Sequence, residues 1–522
     1  MFLKMKKQKQ LSFFCNYKFV CLTPTHKKIR MPKGNKKINR RDFIKYSGIA
    51  GAALTLSGIA GAGYFAGKDK STHTGWGKGA YGENQDFNRT PFRVNNPTYK
   101  KAGKPVRIGY LENIFNRNGE LYRLMHPRDG SNPKWSLQQG VDDLPGDLKK
   151  FYKKHPGRLD EFKKAYRRGR QQKKNWEKYK DQYLLADAWS AAHSSPMRGR
   201  EAFPAEPQDA PEKSDFKGIN TKPCQLKSPG HGSRLMKKIA HTFGATLVGI
   251  APVKEEWLYQ GYLRGVGKTR YEKPPHWKHA IVVGIPHEWE SLYANPVYGT
   301  SYDAYSMLNF IAGKLEVFLK HIGYAARSHV PPTDYDLVMP PLAIDAGLGE
   351  QGRNGILITP ELGANTRLAA VTTNMPLEND KPIDIGIKEF CEKCKICAEQ
   401  CPSGAISFDK QPPQVIRGYR RWEINQEKCF TIWNTVATSH PRGCRVCLAV
   451  CPYSRKNNWI HKLAKQMDAY DPTGAFSSAM LAMQKQFFDY PGAQEYLPPP
   501  DGSNAVYQEP PDWLKTEEWF DL

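Results

Sequence analysis

Cys391-Glu-Lys-Cys394-Lys-Ile-Cys397-Ala-Glu-Gln-Cys401-Pro402, with its partial echo Cys429 and then Cys444-Arg-Val-Cys447-Leu-Ala-Val-Cys451-Pro452, decides how this chain must fold. Short spacings let neighbouring thiolates wrap one cubane on a tight loop. The fourth cysteine, held by the following proline, leaves that loop and reaches the other cubane. By that rule one [4Fe–4S] cluster takes Cys391, Cys394, Cys397 and Cys451. The second takes Cys401, Cys444 and Cys447, with Cys429 as its fourth ligand across a stretched gap. Zinc would prefer two separated pairs and would not explain two C-x2-C-x3-C-P tails. The chain has 11 cysteines; Cys15, Cys21 and Cys224 read as incidental. A bacterial ferredoxin-like domain for two clusters is therefore expected over 386–460.

Upstream, the texture between Gly232 and residue 385 is that of a mixed α/β unit. Ser233–Phe243 has helical periodicity, and Ala245–Ile250 and His279–Ile285 are strand candidates. Tyr302–Ile322 is an amphipathic helix closed by Gly323. Ile356–Thr359 and Leu368–Thr372 are further strands. Residues 68–231 form a polar N-terminal unit and connector, with one or two charged helices over Leu148–Tyr183. The tail, 461–522, is rich in aromatics and proline. Gly347-Leu-Gly349-Glu-Gln-Gly352 matches G-x-G-x-x-G. A turn, Arg353-Asn354-Gly355, and a strand follow it rather than a helix, which argues against a dinucleotide site. The glycines read instead as backbone that lets another large ligand come close.

The first 67 residues read as a twin-arginine export signal. Arg40-Arg41-Asp42-Phe43-Ile44-Lys45 precedes an uncharged stretch rich in Gly, Ala and Leu, and Met31 is a possible true start. That route carries folded cargo, which suits a protein loaded with iron–sulfur clusters in a reducing compartment. The reading implies a translocase as transient partner and a site on the outer face of the cytoplasmic membrane. No other apolar run reaches a spanning length, so attachment would need a separate membrane subunit. The net charge of +27 is concentrated before Lys45 and in the run 149–180. That run lacks any nucleic-acid motif, and no nucleic-acid partner is expected from it.

Beyond these readings lies a resemblance. Pro341–Pro360, Thr366-Arg367-Leu368, Asn374-Met375-Pro376-Leu377, Lys381-Pro-Ile-Asp384 and the helix from Tyr305-Ser-Met to Gly323-Tyr324 resemble respiratory reductive dehalogenases. The resemblance runs from about Gly232 to Arg455 and is faint over 69–230. It implies an α+β fold: a nitroreductase-like domain at 232–385 binding a base-off cobalt corrinoid beside the ferredoxin-like domain, with the C-terminal tail packed on the site. It implies reductive removal of halide from a small organohalide, R–X plus two electrons and a proton giving R–H and X⁻. It further implies a small integral-membrane anchor and a quinol or hydrogenase chain as electron donor. Tyr305 matches the family's catalytic tyrosine and Arg367 its basic partner. A cation near a phenol favours phenolate and makes the tyrosine a competent acid. Gly347, Gly349, Gly352, Arg353 and Gly355 are the candidate corrinoid contacts. Tyr302 is a rival donor, and Asp334 stands near where relatives often carry asparagine. Two other readings stay open: an epoxyqueuosine reductase-like corrinoid enzyme, and an iron–sulfur electron carrier without catalysis of its own.

Overall fold

A computed structural model describes residues 92–127, 129–179, 223–259, 273–287, 300–331, 335–435 and 444–454, with a few isolated positions beyond them. The export-signal reading, Tyr302's side chain, Asp334 and nearly all of the C-terminal tail lie outside the described residues. Everything described belongs to one compact unit, Ser71–Leu522. No described helix is long and apolar enough to cross a membrane.

The N-terminal part contributes β1 (Lys100–Lys101) and three helices: α1 (Ile114–Met125), α2 (Gly146–Lys154) and α3 (Arg158–Tyr179). Asn113 caps α1 by accepting from the amides of Phe115 and Asn116. Leu121, Trp135, Leu148, Tyr152 and Phe162 form its small core. This unit also grips the ferredoxin-like part. Arg117, almost fully buried, pairs with Glu427, and the Phe115 and Phe430 rings meet edge to face at 5.8 Å.

The central unit runs α4 (Pro229–Thr242), β2 (Leu247–Pro252), β3 (His279–Ile285), α5 (Thr300–His321), β4 (Ala326–His329), α6 (Met339–Asp345), β5 (Glu350–Gln351), β6 (Leu357–Ile358) and β7 (Arg367–Thr373). The sheet order is β2-β3-β7-β4, antiparallel at each pairing. Period-2 alternation sends Val248, Ile250, Ile281, Val283, Ala369 and Val371 to one face, against α4 and α5. Leu247, Ala251, Ala280, Val282, Leu368 and Ala370 line the other, against α6 and Trp257. Both faces are covered, which is why these strands read as continuous apolar runs. Helix α4 starts earlier than its periodicity suggests because Ser228 caps it and Pro229 opens it.

The cysteine segment holds α7 (Ile387–Lys393), α8 (Ile396–Glu399), β8 (Gln414–Ile416), β9 (Tyr419–Arg421), α9 (Gln426–Thr435) and α10 (Val446–Ala449). β8 and β9 form a hairpin, and β1 extends it through Lys100 opposite Arg420. Arg417 and Gly418 both have positive φ, at 51° and 88°, the requirement of a tight two-residue hairpin turn. Here the loop between the two cysteine sets is a sheet element fastened to the N-terminal unit.

Candidate functional site

The cysteine loops are near copies of each other. Cys394 ends α7 and Cys397 lies on α8; Cys444 precedes α10 and Cys447 lies on it. Lys395 and Arg445 cap the two short helices with similar backbone angles, and α8 packs on α10. The structure brings Cys451 beside Cys391, Cys394 and Cys397, so that these thiols act electrostatically on one another. It brings Cys401 beside Cys429, Cys444 and Cys447 in the same way. Cys397 and Cys447 stand where the two groups approach. Burial pushes the thiols of Cys391, Cys394, Cys397, Cys429, Cys444 and Cys447 up, Cys394 and Cys444 to about 12, so as free thiols these would keep their protons. Bonding to iron supplies the positive charge that thiolates need in such a setting. The donor set therefore fits iron–sulfur ligation. Among the described residues no cluster of His, Cys, Asp or Glu side chains forms a single-ion site. Cys224 lies apart and exposed.

Arg353 requires a correction. It is fully buried, and its guanidinium donates to the carbonyls of Cys391, Cys394, Ser407 and Asp409. It also lies over the Trp422 ring at 4.8 Å. Its donors point into the cysteine loop, so it braces that loop rather than presenting itself to a large ligand. The glycines beside it are likewise crowded by protein. A Cβ on Gly347 would meet the Lys381 carbonyl at 2.3 Å, and one on Gly349 the Ile358 carbonyl at 2.2 Å. Gly352 faces Ile358 and Gly355 faces Ile424. Gly355 lines a cavity of about 120 Å³ walled by Tyr99, Trp257 and Tyr419. That is below the ~300 Å³ of ordinary small-molecule sites and does not admit a macrocycle.

Tyr305 and Arg367 do come together. Tyr305 stands on α5 and Arg367 opens β7; the guanidinium carbon is 5.8 Å from the ring centroid. Arg367 also acts electrostatically on the Cys447 thiol. Tyr335 joins the same neighbourhood, its hydroxyl donating to the Leu368 carbonyl at 3.3 Å. Burial and the Tyr305 phenol hold the Tyr335 hydroxyl well above its usual range, so it keeps its proton.

Sequence reasoning missed what fixes Arg367. Its Nε and Nη2 donate to the Ser301 hydroxyl at 3.3 and 3.0 Å. Arg445, between Cys444 and Cys447, donates to the same oxygen at 2.6 Å. His287 lies 3.2 Å away through Nε2, and its Nδ1 is 2.6 Å from the Asn365 side-chain oxygen. The one legible signal was the cation inside Cys444-Arg445-Val446-Cys447. Burial, with Arg367 and Arg445 nearby, pushes His287 well below its usual range, so it is neutral.

A base-off corrinoid can be tested on the histidines. Among the described residues, His287 beside this site is committed to protein as above, and His329, on the other face of the sheet, is committed to Thr372 through Nε2 and to the Asp336 amide through Nδ1. Neither offers cobalt a lower ligand, and the residues fit the base-off form on that point.

A 4Fe-4S dicluster domain model matches residues 390–455. Tetrachloroethene reductive dehalogenase of Desulfitobacterium hafniense is 31% identical over 289 residues, 46% of this chain and 51% of the relative. That of Sulfurospirillum multivorans is 32% identical over 279 residues, 47% and 54% of the two chains. This chain thus spans about half the length of the curated relatives it matches. Epoxyqueuosine reductase of Listeria monocytogenes matches 22% of this chain and 29% of its own, at 34% identity. Among solved structures, the catabolic reductive dehalogenase NpRdhA bound to 3-bromo-4-hydroxybenzoic acid superposes with a TM-score of 0.51 at 22% identity, over 76% of this chain and 48% of that one. The α+β fold with its ferredoxin-like cysteine domain is the fold of that structure, and the sequence is similar to the reductive dehalogenases over about half their length.

Proposed function

We propose that this protein removes halide reductively from a small organohalide, with a base-off corrinoid as the reacting cofactor and two [4Fe–4S] clusters as its electron relay. The observation that carries the reading is Arg367, which lies over the Tyr305 ring and shares the Ser301 hydroxyl with Arg445 of the Cys444–Cys447 loop. Proton donor and electron entry then meet at one cation. A bound corrinoid would supply a low-valent cobalt able to break a carbon–halogen bond. The chain's own residues do the rest. Cys391, Cys394, Cys397 and Cys451 would hold one cluster and Cys401, Cys429, Cys444 and Cys447 the other, and the pair would supply single-electron relay toward the side of Arg367. Tyr305 gives its phenolic proton to the carbon that loses halide. The Arg367 guanidinium stabilises the oxygen anion left behind. Tyr335, its hydroxyl held protonated by burial, is a poor proton donor. Trichloroethene and tetrachloroethene are the substrates named for relatives; for this chain only the organohalide class is proposed.

Export by the twin-arginine route, peripheral attachment through a small integral-membrane subunit, and a quinol- or hydrogenase-linked donor complete the proposal. They are supported by Arg40-Arg41 and the uncharged stretch behind it. An epoxyqueuosine reductase-like role is disfavoured by that signal, since its substrate is a cytoplasmic RNA. The test is anaerobic reconstitution with iron, sulfide and a B12-type corrinoid, then metal analysis and a halide-release screen with reduced methyl viologen. The reading expects bound cobalt together with iron, and halide release that Tyr305→Phe abolishes at unchanged metal content. Iron without cobalt would leave only an electron carrier.

A further inference from the structure

We infer that Ser301 is a positioning residue: its hydroxyl holds Arg367 over Tyr305 and, through Arg445, ties that cation to the Cys401, Cys429, Cys444 and Cys447 group. The inference rests on the proposed function for its catalytic consequence but not for its electrochemical one.

Ser301 is fully buried in the first turn of α5. It stands four residues before Tyr305, on the same helix face. Three N–H groups, two from Arg367 and one from Arg445, point at its oxygen. A hydroxyl has two acceptor lone pairs and one proton. With the lone pairs filled by guanidinium donors, the proton must go elsewhere, and His287 Nε2 is within reach. His287 is therefore the tautomer with its proton on Nδ1, donated to the Asn365 oxygen. That oxygen also accepts from the His287 amide, and the Asn365 amide group donates back to the His287 carbonyl. Every rotor in the chain Asn365–His287–Ser301 is thus fixed in one direction, and Ser301 is left as an acceptor toward the two arginines.

Two guanidinium cations meeting at one neutral oxygen repel each other. The arrangement is favourable where a negative group stands close to both. Arg445 acts on the Cys444 sulfur and Arg367 on the Cys447 sulfur. A thiolate-ligated cubane is anionic and becomes more so by one charge when it takes up one electron. Cations held beside it favour the reduced form and raise its potential. One hydroxyl thus sets both the ease of reducing the nearer cluster and the place of the cation that supports Tyr305.

The experiment uses the full chain reconstituted with iron and sulfide, with and without corrinoid, as wild type, Ser301→Ala and Ser301→Thr. Redox titration followed by electron paramagnetic resonance is run on the corrinoid-free protein. Ser301→Ala is expected to keep its iron and to shift the potential of one cluster, not both, to more negative values. Ser301→Thr, which keeps the hydroxyl, restores it. In the corrinoid-loaded protein, Ser301→Ala lowers kcat with methyl viologen by about tenfold or more, the cost of a hydrogen bond to a charged group, with KM little changed. A shifted potential in protein that releases no halide would sink the proposed reaction and leave this inference standing. Unmoved potentials in Ser301→Ala, or Ser301→Thr behaving like Ser301→Ala, would overturn it. If Ser301→Ala does not retain iron, His287→Gln and His287→Leu replace it. Only the leucine variant removes the acceptor for the serine proton, and only it should move the potential; equal potentials in the two would overturn the inference.

Discussion

Arg353 and Tyr305 show how far single residues could be read. The glycine-rich run around Arg353 stood out in the sequence, yet its guanidinium serves carbonyls from Cys391 to Asp409. Those partners are brought to it only by the tertiary fold, and no local pattern announces them. Tyr305 on an amphipathic helix is indistinguishable from a core tyrosine until Arg367 is placed beside it, and that pairing was legible only through the family resemblance. Arg353→Met should leave several buried carbonyls without a donor, costing at least about 3 kcal/mol. A lowered thermal midpoint and iron lost from the Cys391 group would bear this out; wild-type values in both would refute the bracing role. Glu350 gives a second prediction at this scale. It is almost fully buried and accepts from the amides of Ile385 and Ile387, and burial pushes its carboxyl up to about 7. The folded state then binds its proton more tightly than the unfolded chain. Its contribution is fully present below about pH 4.5 and is lost as pH rises through about 7. Glu350→Gln keeps the acceptor but not the titration. Thermal midpoints measured between pH 5 and 8 should fall more steeply in wild type than in the variant, and parallel curves would refute the assignment.

At the scale of elements, the strands were the most legible because both faces of the sheet are covered. His279–Ile285 has the bounds its apolar run suggests, and β2 and β7 differ from expectation by a residue or two. The antiparallel order was not legible, since register depends on partners far apart in the chain. The hairpin β8–β9 escaped notice for a related reason: it lies inside the gap between cysteine sets and completes its sheet with β1, which is remote in sequence. Helix α9 carries Cys429, and its hold on the N-terminal unit is the buried pair of Arg117 and Glu427, with Arg158 also within 3.6 Å of Glu427. Removing Arg117 leaves Glu427 only the partly exposed Arg158, 3.6 Å away, as counter-charge, so the cost falls somewhat below the ~3–5 kcal/mol of a fully stranded buried charge. Arg117→Met should therefore destabilise the protein and release iron from the group that includes Cys429, two residues beyond Glu427. The double variant Arg117→Met/Glu427→Leu, which leaves no stranded charge, should recover much of the loss. Iron content and thermal midpoint together measure it; a double variant no better than the single would show that the pair is not what anchors α9.

For the whole molecule, the question is how two sets of cysteines separated by a hairpin and a helix become one relay. Spacing alone suggested crossed ligation, and the folded chain puts Cys451 beside Cys391, Cys394 and Cys397 while Cys401 lies with Cys429, Cys444 and Cys447. The role of residues 92–179 was not legible, because their contribution is to clamp α9 and extend the β8–β9 sheet. Both partner surfaces lie more than two hundred residues downstream. Crossing makes a prediction that a sequential arrangement does not. Cys451→Ser and Cys394→Ser should abolish the same reduced-state resonance and each remove about half of the iron, leaving a second signal that Cys447→Ser and Cys401→Ser abolish instead. If each loop ligated its own cluster, Cys451→Ser would group with Cys447→Ser. The functional consequence follows from Arg367 lying on the Cys447 side. Losing the Cys391 group should stop turnover with a donor that enters at the far cluster, yet leave the nearer cluster reducible by dithionite. Loss of the Cys447 group should remove the relay's last step whatever the donor. An assignment of resonances that paired Cys451 with Cys447 would break this order of electron transfer, and with it the claim that proton and electron converge at Arg367.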